Sequence, residues 1–281
     1  MHFGLMMFST DYAIRVDELA REAEARGFES LWLPEHTHIP TSRRSPWPGG
    51  AELPKEYWHT HDPFVALATA AAVTKNLKVA TGICLLIERD PITTAKEIAS
   101  LDFLSNGRFL FGIGGGWNAE EMEHHGTAFK TRWKLLRERV EAMKKIWTEE
   151  TPEYHGTFVN FDKLWAWPKP VQKPHQPIYL GGHSPQVLER VVDYCDGWLP
   201  IGGRAGDLVE NIKELRRRAE KAGRDPQTVA VTIFGTPADE AAMAQYRAVG
   251  VERATFGLPP AGRDKVLPLM DRYAEFVRKL G

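Results

Sequence analysis

The stretch Arg108 to Glu121, RFLFGIGGGWNAEE, carries a buried strand directly into a glycine cluster and a helix start. Phe109, Leu110, Phe111 and Ile113 make an apolar run of strand length, and Asn118 followed by Glu120 and Glu121 reads as a helix entry with acids in its first turn. Gly112, Gly114, Gly115 and Gly116 remove every Cβ where the chain leaves the strand. The backbone there can take positive φ, and a flat or anionic ligand can come close to its N–H groups. One glycine would suffice for a turn, so their number points to a ligand; the plain alternative is a turn packed against its own helix. Gly114, Gly116 and Ala119 also satisfy G-x-G-x-x-A. That fingerprint belongs in the first βαβ unit, with an acidic residue closing the next strand. Here it stands far into the chain and residues 130–147 that follow are helical, so a dinucleotide fold fails on context.

Outward from this stretch, strand and helix patterns alternate to both ends. Strands are expected at 2–8, 29–33, 77–86, 109–113, 178–180, 197–201, 228–234 and 252–256. Between and after them helices are expected at 11–26, 63–73, 92–104, 130–147, 186–194, 208–221, 239–249 and 265–280. A short hairpin at 154–161 and a proline-rich connector at 168–177 follow the fourth unit. A helix, a glycine and a short apolar strand recur as RGFESLWL, VGVERATFGL and YCDGWLPI, a faint internal repeat. Alternation predicts parallel strands covered by helices, and this number of units in 281 residues is the size of a (β/α)8 TIM barrel. The reading is α/β, a single domain over 1–281, with an extended loop after the second strand and an insertion after the fourth; an open doubly wound sheet is the alternative.

Composition narrows the class further. Charge is nearly balanced, 36 basic against 37 acidic side chains, which gives no field for nucleic acid. No apolar run is long enough for a membrane span, and the amino terminus begins as a strand with no leader pattern. Two cysteines, Cys84 and Cys195, give neither a disulfide framework nor a metal quartet. A soluble, cytoplasmic protein is expected.

In a barrel of this kind the chemistry belongs to the loops at the carboxyl ends of the strands. The second strand ends Trp32-Leu33-Pro34-Glu35-His36, and residues 36–62 carry no periodicity but hold Arg43, Arg44, Trp47, Tyr57, Trp58 and several histidines. So long a loop reads as a substrate lid. Glu35 and His36 at its root form a candidate acid/base pair, the carboxylate favouring a protonated imidazole. Gly82, inside the third strand before Ile83 and Cys84, suggests a bulge or a close backbone approach. Gly181-Gly182-His183-Ser184-Pro185 is a second junction of strand, glycine and helix, with Ser184 as N-cap and free N–H groups suited to a phosphate. Ile201-Gly202-Gly203 is a third. Trp165 and Trp167 are candidates to cap the site, and Lys130 to Arg139 form a solvated basic face.

WLPEH after the second strand, TGI in the third, NGRFLFGIGGGWNAEE at the fourth, then PIYLGGHSP and YCDGWLPIGG together resemble the bacterial luciferase-like superfamily. The similarity runs along the whole chain and is closest to the deazaflavin branch, the F420-dependent oxidoreductases. It implies coenzyme F420, or alternatively FMN, at the carboxyl ends of the strands, and hydride transfer between deazaflavin C5 and a small organic substrate. It also implies catalytic roles for Glu35 and His36, and a non-prolyl cis peptide at Gly82-Ile83 whose bulge backs the ring. Gly114, Gly115, Gly116, Trp117 and Asn118 match the segment that holds the cofactor chain, and Gly181, Gly182, His183 and Ser184 the one that holds its phosphate. Trp117 stands where sugar-phosphate dehydrogenases of this group carry a glutamate, so their substrate does not transfer. The sequence EHT, where many flavin monooxygenases show EHH, argues against the oxygen-activating branch. A homodimer is implied, and for the FMN variant a separate cofactor reductase.

Two other readings remain in view. His36-Thr37-His38, with His183 at a later strand end, resembles the ligand set of a metal-dependent barrel hydrolase. Against it, the last strand ends without an aspartate, so no bound metal is expected. A non-catalytic flavin-binding protein of the same fold is the other.

Overall fold

A computed structural model describes residues 1–50, 52–203 and 206–280; Ala51 of the long loop and Gly281 of the expected domain lie outside these. In chain order the elements are β1 (His2–Met6), α1 (Val16–Ala25), β2 (Ser30–Leu33), α2 (Glu56–His59), α3 (Pro63–Ala72), β3 (Lys78–Cys84), α4 (Pro91–Leu104) and β4 (Phe109–Ile113). They continue with α5 (Ala119–His124), α6 (Arg132–Thr148), β5 (Tyr154–His155), β6 (Asn160–Phe161), β7 (Ile178–Gly181), α7 (Pro185–Tyr194), β8 (Gly197–Leu199), α8 (Leu208–Lys221), β9 (Ala230–Ile233), α9 (Glu240–Ala248), β10 (Arg253–Gly257) and α10 (Arg263–Lys279).

The strands close into a barrel in the order β1-β10-β9-β8-β7-β4-β3-β2, and the pairs are parallel. This is the expected (β/α)8 barrel. Side-chain alternation along each strand makes two cores. Trp32, Ala80, Leu110, Tyr179 and Leu199 fill the barrel interior. Their neighbours Leu31, Leu33, Val79, Phe109, Phe111, Ile178 and Leu180 face outward into the shell of helices. Helix starts follow the local code: Asp62 and Asp90 each accept a backbone N–H (Val65 and Thr93), with proline at the next position.

The amino-terminal end of the barrel is closed by charge. Arg253 is fully buried and donates from Nε and Nη2 to both oxygens of Glu29, at 2.6 and 2.7 Å, with Thr232 taking a further bond. Burial alone would raise the Glu29 carboxyl, but Arg253 outweighs it and holds the group at about 2.

Three expectations are corrected in detail. Helix α1 starts at Val16 rather than residue 11, because the chain before it is used on the long loop: Thr10 bridges Thr60, Ser9 O accepts from His61 N, and Asp11 bonds His59. The loop of 36–62 is not wholly aperiodic, since α2 forms one helical turn in it. Trp165 and Trp167 do not cover the strand tips, being 79% and 59% exposed. The expected insertion after the fourth unit is present as the antiparallel β5–β6 hairpin between α6, the fourth barrel helix, and β7; the short α5 precedes α6.

Candidate active site

His36 follows directly from the carboxyl end of β2, and its side chain is 7% exposed. The carboxylate that holds it is not its neighbour. Glu35 receives Leu85 N at 2.6 Å and Arg89 Nε at 2.6 Å, and Arg89 continues to Asp62 and Glu97. Successive residues on extended backbone point to opposite sides, so Glu35 is turned into this buried anchor and is not the acid/base partner expected. His36 Nδ1 instead meets Glu121 Oε2 at 2.8 Å. Glu121 belongs to the first turn of α5, and its backbone N–H is capped by Asn118 Oδ1. With Glu121 ionised, Nδ1 is the protonated nitrogen and Nε2 is the one available to a substrate.

At the tip of β3 the pairing with β4 shifts register between Thr81 and Cys84, and the Gly82-Ile83 peptide is cis, as the resemblance implied. The glycines around it do something other than bare the backbone to a ligand. A Cβ at Gly114 would collide with the end of Ile83, and one at Gly181 would come within 3.0 Å of the same side chain. Ile83 therefore lies in a notch cut by two neighbouring strand tips. Gly115 makes room for Trp133 at 2.7 Å, and Gly116, at φ 62°, for Met122 at 2.6 Å. The expectation of open backbone at 114–116 is thus corrected: the vacated volume is filled by the chain's own side chains, and the half-buried Ile83 forms a shelf. Gly202 has a plainer cause. Its Cβ would strike the Gly235 carbonyl, where the tips of β8 and β9 close against each other beside the Ile201–Phe234 bridge.

After β7, Gly182 takes φ 126° and its carbonyl accepts Trp198 Nε1 at 2.8 Å. Ser184 is the N-cap position of α7 as expected, but its hydroxyl makes no cap hydrogen bond. A cavity of about 220 Å³ opens here, lined by His183, Ser184 and Pro185 with Asn211, Glu214 and Arg218 of α8. A larger one, about 580 Å³, lies at the far end of α6 between Trp147, Glu149, Trp167 and Lys169, toward the opposite end of the barrel.

The long loop forms the roof. Glu120 of α5 accepts Ser42 Oγ at 3.0 Å and Ser45 N at 3.1 Å, and Arg44 pairs with Glu123 at 3.2 Å. Burial would raise the Glu120 carboxyl; the bonds from Ser45 and Ser42 outweigh it and hold it at about 2. Latched so, the loop sets the Tyr57 ring 5.1 Å from His36 and 6.3 Å from Trp117, with Trp47 and Phe8 against its other sides. Trp117 lies on the roof, 5.9 Å from the His36 ring, and the Arg43 guanidinium lies 6.0 Å from it. Asn118 is buried and spends its side-chain oxygen on the α5 cap.

Sequence reasoning thus brought together His36, Ile83, Trp117 and the α7 junction at one end of the barrel. It placed Tyr57 in the lid but missed Glu121, Glu120 and Arg89 as members of the site. The adjacent acids after Asn118 were visible as a helix start, yet nothing local shows that they face a loop some 75 or 85 positions earlier. Among the described residues no group of His, Cys, Asp and Glu is arranged to hold a metal ion. His36 Nδ1 is taken by Glu121, and both His38 nitrogens by Thr37 and His124. Among the described residues, too, no helix is long and apolar enough to cross a membrane.

The family model for luciferase-like monooxygenases matches residues 2–275, and the chain belongs to that family. It is 41% identical over 280 residues to an uncharacterised protein of Mycobacterium tuberculosis, covering 98% of each chain. It is 28% identical over 251 residues to the F420-dependent hydroxymycolic acid dehydrogenase of the same organism, covering 86% of this chain and 65% of that one. Among solved structures, monooxygenase RslO1 from Streptomyces bottropensis superposes with a TM-score of 0.80 at 20% identity, over 99% of both chains. The hydrolase reading falls with this membership.

Proposed function

We propose that the protein is an oxidoreductase dependent on coenzyme F420, catalysing hydride transfer between deazaflavin C5 and a carbon of a small organic substrate. The observation that carries the reading is the clamped imidazole: His36 is held by a buried carboxylate beneath an aromatic roof, at the end of the barrel where strand tips converge. No side chain of the twenty types carries hydride, so a cofactor supplies that chemistry when bound. The residues present fit such a group. Ile83 on its glycine-cut notch offers an apolar shelf to a flat ring. Gly182, in a conformation that disfavours any Cβ, and the first turn of α7 offer N–H groups to a phosphate, beside the Arg218 guanidinium that Glu214 holds at 2.7 Å.

The chain's own work is proton management and water exclusion. His36 Nε2 gives a proton to the substrate oxygen, or takes one in the reverse direction, while Glu121 fixes the tautomer and stabilises the imidazolium. Tyr57, Trp47 and Trp117 close over the reacting atoms and keep the site dry. The F420-dependent dehydrogenase relative supports this cofactor, as does the sequence EHT at 35–37.

A second reading, reduced FMN with dioxygen, is favoured by the family description and by the monooxygenase fold relative. Calorimetric titration of the cofactor-free protein with F420 and with FMN separates them. Binding of F420, with a Gly182→Val variant losing affinity, is the expected result; binding of FMN alone would turn the assignment to the monooxygenase.

A further inference from the structure

Arginines on the helices behind the strand tips mostly have a carboxylate to answer their charge. Arg137 of α6 pairs with Glu141 and Asp193, and Arg218 of α8 with Glu214. Two others are placed differently. Arg132, the first residue of α6, and Arg190 of α7 both lie against one ring, that of Trp133, with their guanidinium carbons 5.5 and 4.2 Å from its centroid. Both are half-buried, and among the described residues neither is ion-paired. Arg132 also lies 3.6 Å from the Phe129 ring and donates from Nη1 to the Phe129 carbonyl at 2.8 Å. Its Nε is buried and finds no acceptor among the described residues.

This arrangement holds an excess of positive charge. Two cations brought to one ring repel each other, and a buried donor without an acceptor is costly; attraction to the ring offsets only part of this. Burial, then the charge of Arg190, both act to lower the Arg132 pKa. The start of α6 adds to the excess. Its N-cap residue Thr131 makes no side-chain hydrogen bond, its first turn carries no acid, and the helix dipole is positive there. An anionic group set between the two guanidinium groups would relieve all of these at once.

The cleft stands at the reactive end of the barrel but outside the reaction space. At the tip of β4, a Cβ on Gly114 would meet Ile83, while one on the next residue, Gly115, would meet Trp133. The ring shelf and the arginine pair are thus served by consecutive residues of one tip. Along α7, Arg190 lies roughly 8 Å beyond Pro185, whose turn offers N–H groups to a phosphate. A ligand filling shelf, turn and cleft is long, and it carries further acid groups beyond its phosphate. Coenzyme F420 has that constitution: a lactyl group and γ-linked glutamates with free carboxylates follow its phosphate, whereas FMN ends at the phosphate. The planar fork of a guanidinium matches a carboxylate.

We propose that Arg132 and Arg190 bind the carboxylates of the glutamate tail of coenzyme F420, so that the cleft at Trp133 selects the cofactor by its tail. The inference rests on the reading of the protein as an F420-dependent enzyme. Both arginines act on binding alone; they touch no reacting atom.

The cofactor-free, full-length protein is titrated calorimetrically with F420 bearing two glutamates and with the form that lacks them. Removing the glutamates should weaken binding to the wild type at least about tenfold, and by less as salt is raised. In the double variant Arg132→Gln, Arg190→Gln the two forms should bind within about twofold of each other. Lys134→Gln, which removes an exposed charge from the same helix, should keep the wild-type difference. A second measurement uses no cofactor: γ-linked triglutamate alone should shift two arginine Nε–H signals in nitrogen-15 spectra of the wild type, one absent from Arg132→Gln and the other from Arg190→Gln. Equal affinity of the two F420 forms for the wild type would overturn the proposal. So would a double variant that loses affinity for both forms alike, which would give the arginines to the phosphate. Should neither F420 form bind, the proposed function falls and triglutamate decides the cleft: shifts at both arginines keep it as a carboxylate site, and unmoved signals remove it as well.

Discussion

His36 and Glu121 meet across 85 positions of sequence, and removing the charge of one should expose the role of the other. Glu121→Gln keeps the shape and a hydrogen bond but not the carboxylate. Turnover should fall by about a hundredfold, with cofactor affinity unchanged and the pH profile of kcat displaced, because a neutral amide no longer stabilises the imidazolium. Glu88, in the 3-10 turn Leu86–Glu88 after β3, gives a signed expectation for stability, since burial raises its carboxyl. Its carboxyl holds a proton in the folded protein up to about 9, against an ordinary value of 4.5, so the folded state binds the extra proton between those limits. Stability contributed by this group therefore falls as pH rises across that window. Glu88→Gln abolishes the slope, and chemical denaturation should find the variant gaining on the wild type from pH 5 to pH 8. At this scale the sequence was legible only in part. His36 could be picked out because it follows a strand at the reactive end. Its true partner could not, since Glu35 next door satisfied the same chemical pattern and only the fold shows it turned toward Arg89.

At the scale of elements, the strand runs and glycine junctions were readable because period, length and turn residues are local signals. What the glycines are for was not, because a missing Cβ looks the same in sequence whether a ligand or a neighbouring side chain takes its place. The structure separates cases that look alike. A Cβ at Gly112 would strike the Thr81 carbonyl, which is backbone, whereas at Gly114 it would meet the flexible tip of Ile83. Gly112→Ala should cost about 3 kcal/mol and Gly114→Ala nearer 1, measured by denaturant unfolding; the second should instead shift the Ile83 shelf and weaken cofactor binding. The roof makes its own prediction. Glu120→Ala leaves Ser42 and Ser45 without their acceptor, so amide hydrogen exchange in residues 40–50 should quicken while the barrel strands stay protected. Acid acts the same way in the wild type. The Glu120 carboxylate is held at about 2 in the folded state, so the latch is intact above the ordinary value of 4.5 and is lost as pH falls through that window.

For the molecule as a whole, the two ends of the barrel divide the labour, a division typical of this architecture. One end carries buried Arg253 on Glu29; the other carries the roof, the shelf and His36 on Glu121. Arg253→Met leaves Glu29 with Lys78, 3.0 Å from its Oε1, as its remaining cation, which should lower stability by about 3 kcal/mol while cofactor affinity is unchanged in protein that remains folded. The alternation of strand and helix made the barrel legible from sequence, since period and order suffice for topology. Which end would hold chemistry followed from the same rule, but the ion pair that closes the other end joins residues 224 positions apart and left no local trace.

The attachments of the long loop reach beyond its role as cover. One side is fastened through Ser42 and Ser45 to α5; the other through Thr60 and His61 to the chain after β1 and through Asp62 to Arg89. The first fastening rests on hydroxyls, an amide and the exposed Arg44 pair with Glu123, the second on backbone pairing and a multiply bridged, mostly buried guanidinium. Release should therefore be lopsided, the exposed α5 side giving way before the Asp62 side and Tyr57 moving last. A visiting molecule would then be admitted past Arg43 and Trp117, whose stacking beside His36 should govern entry.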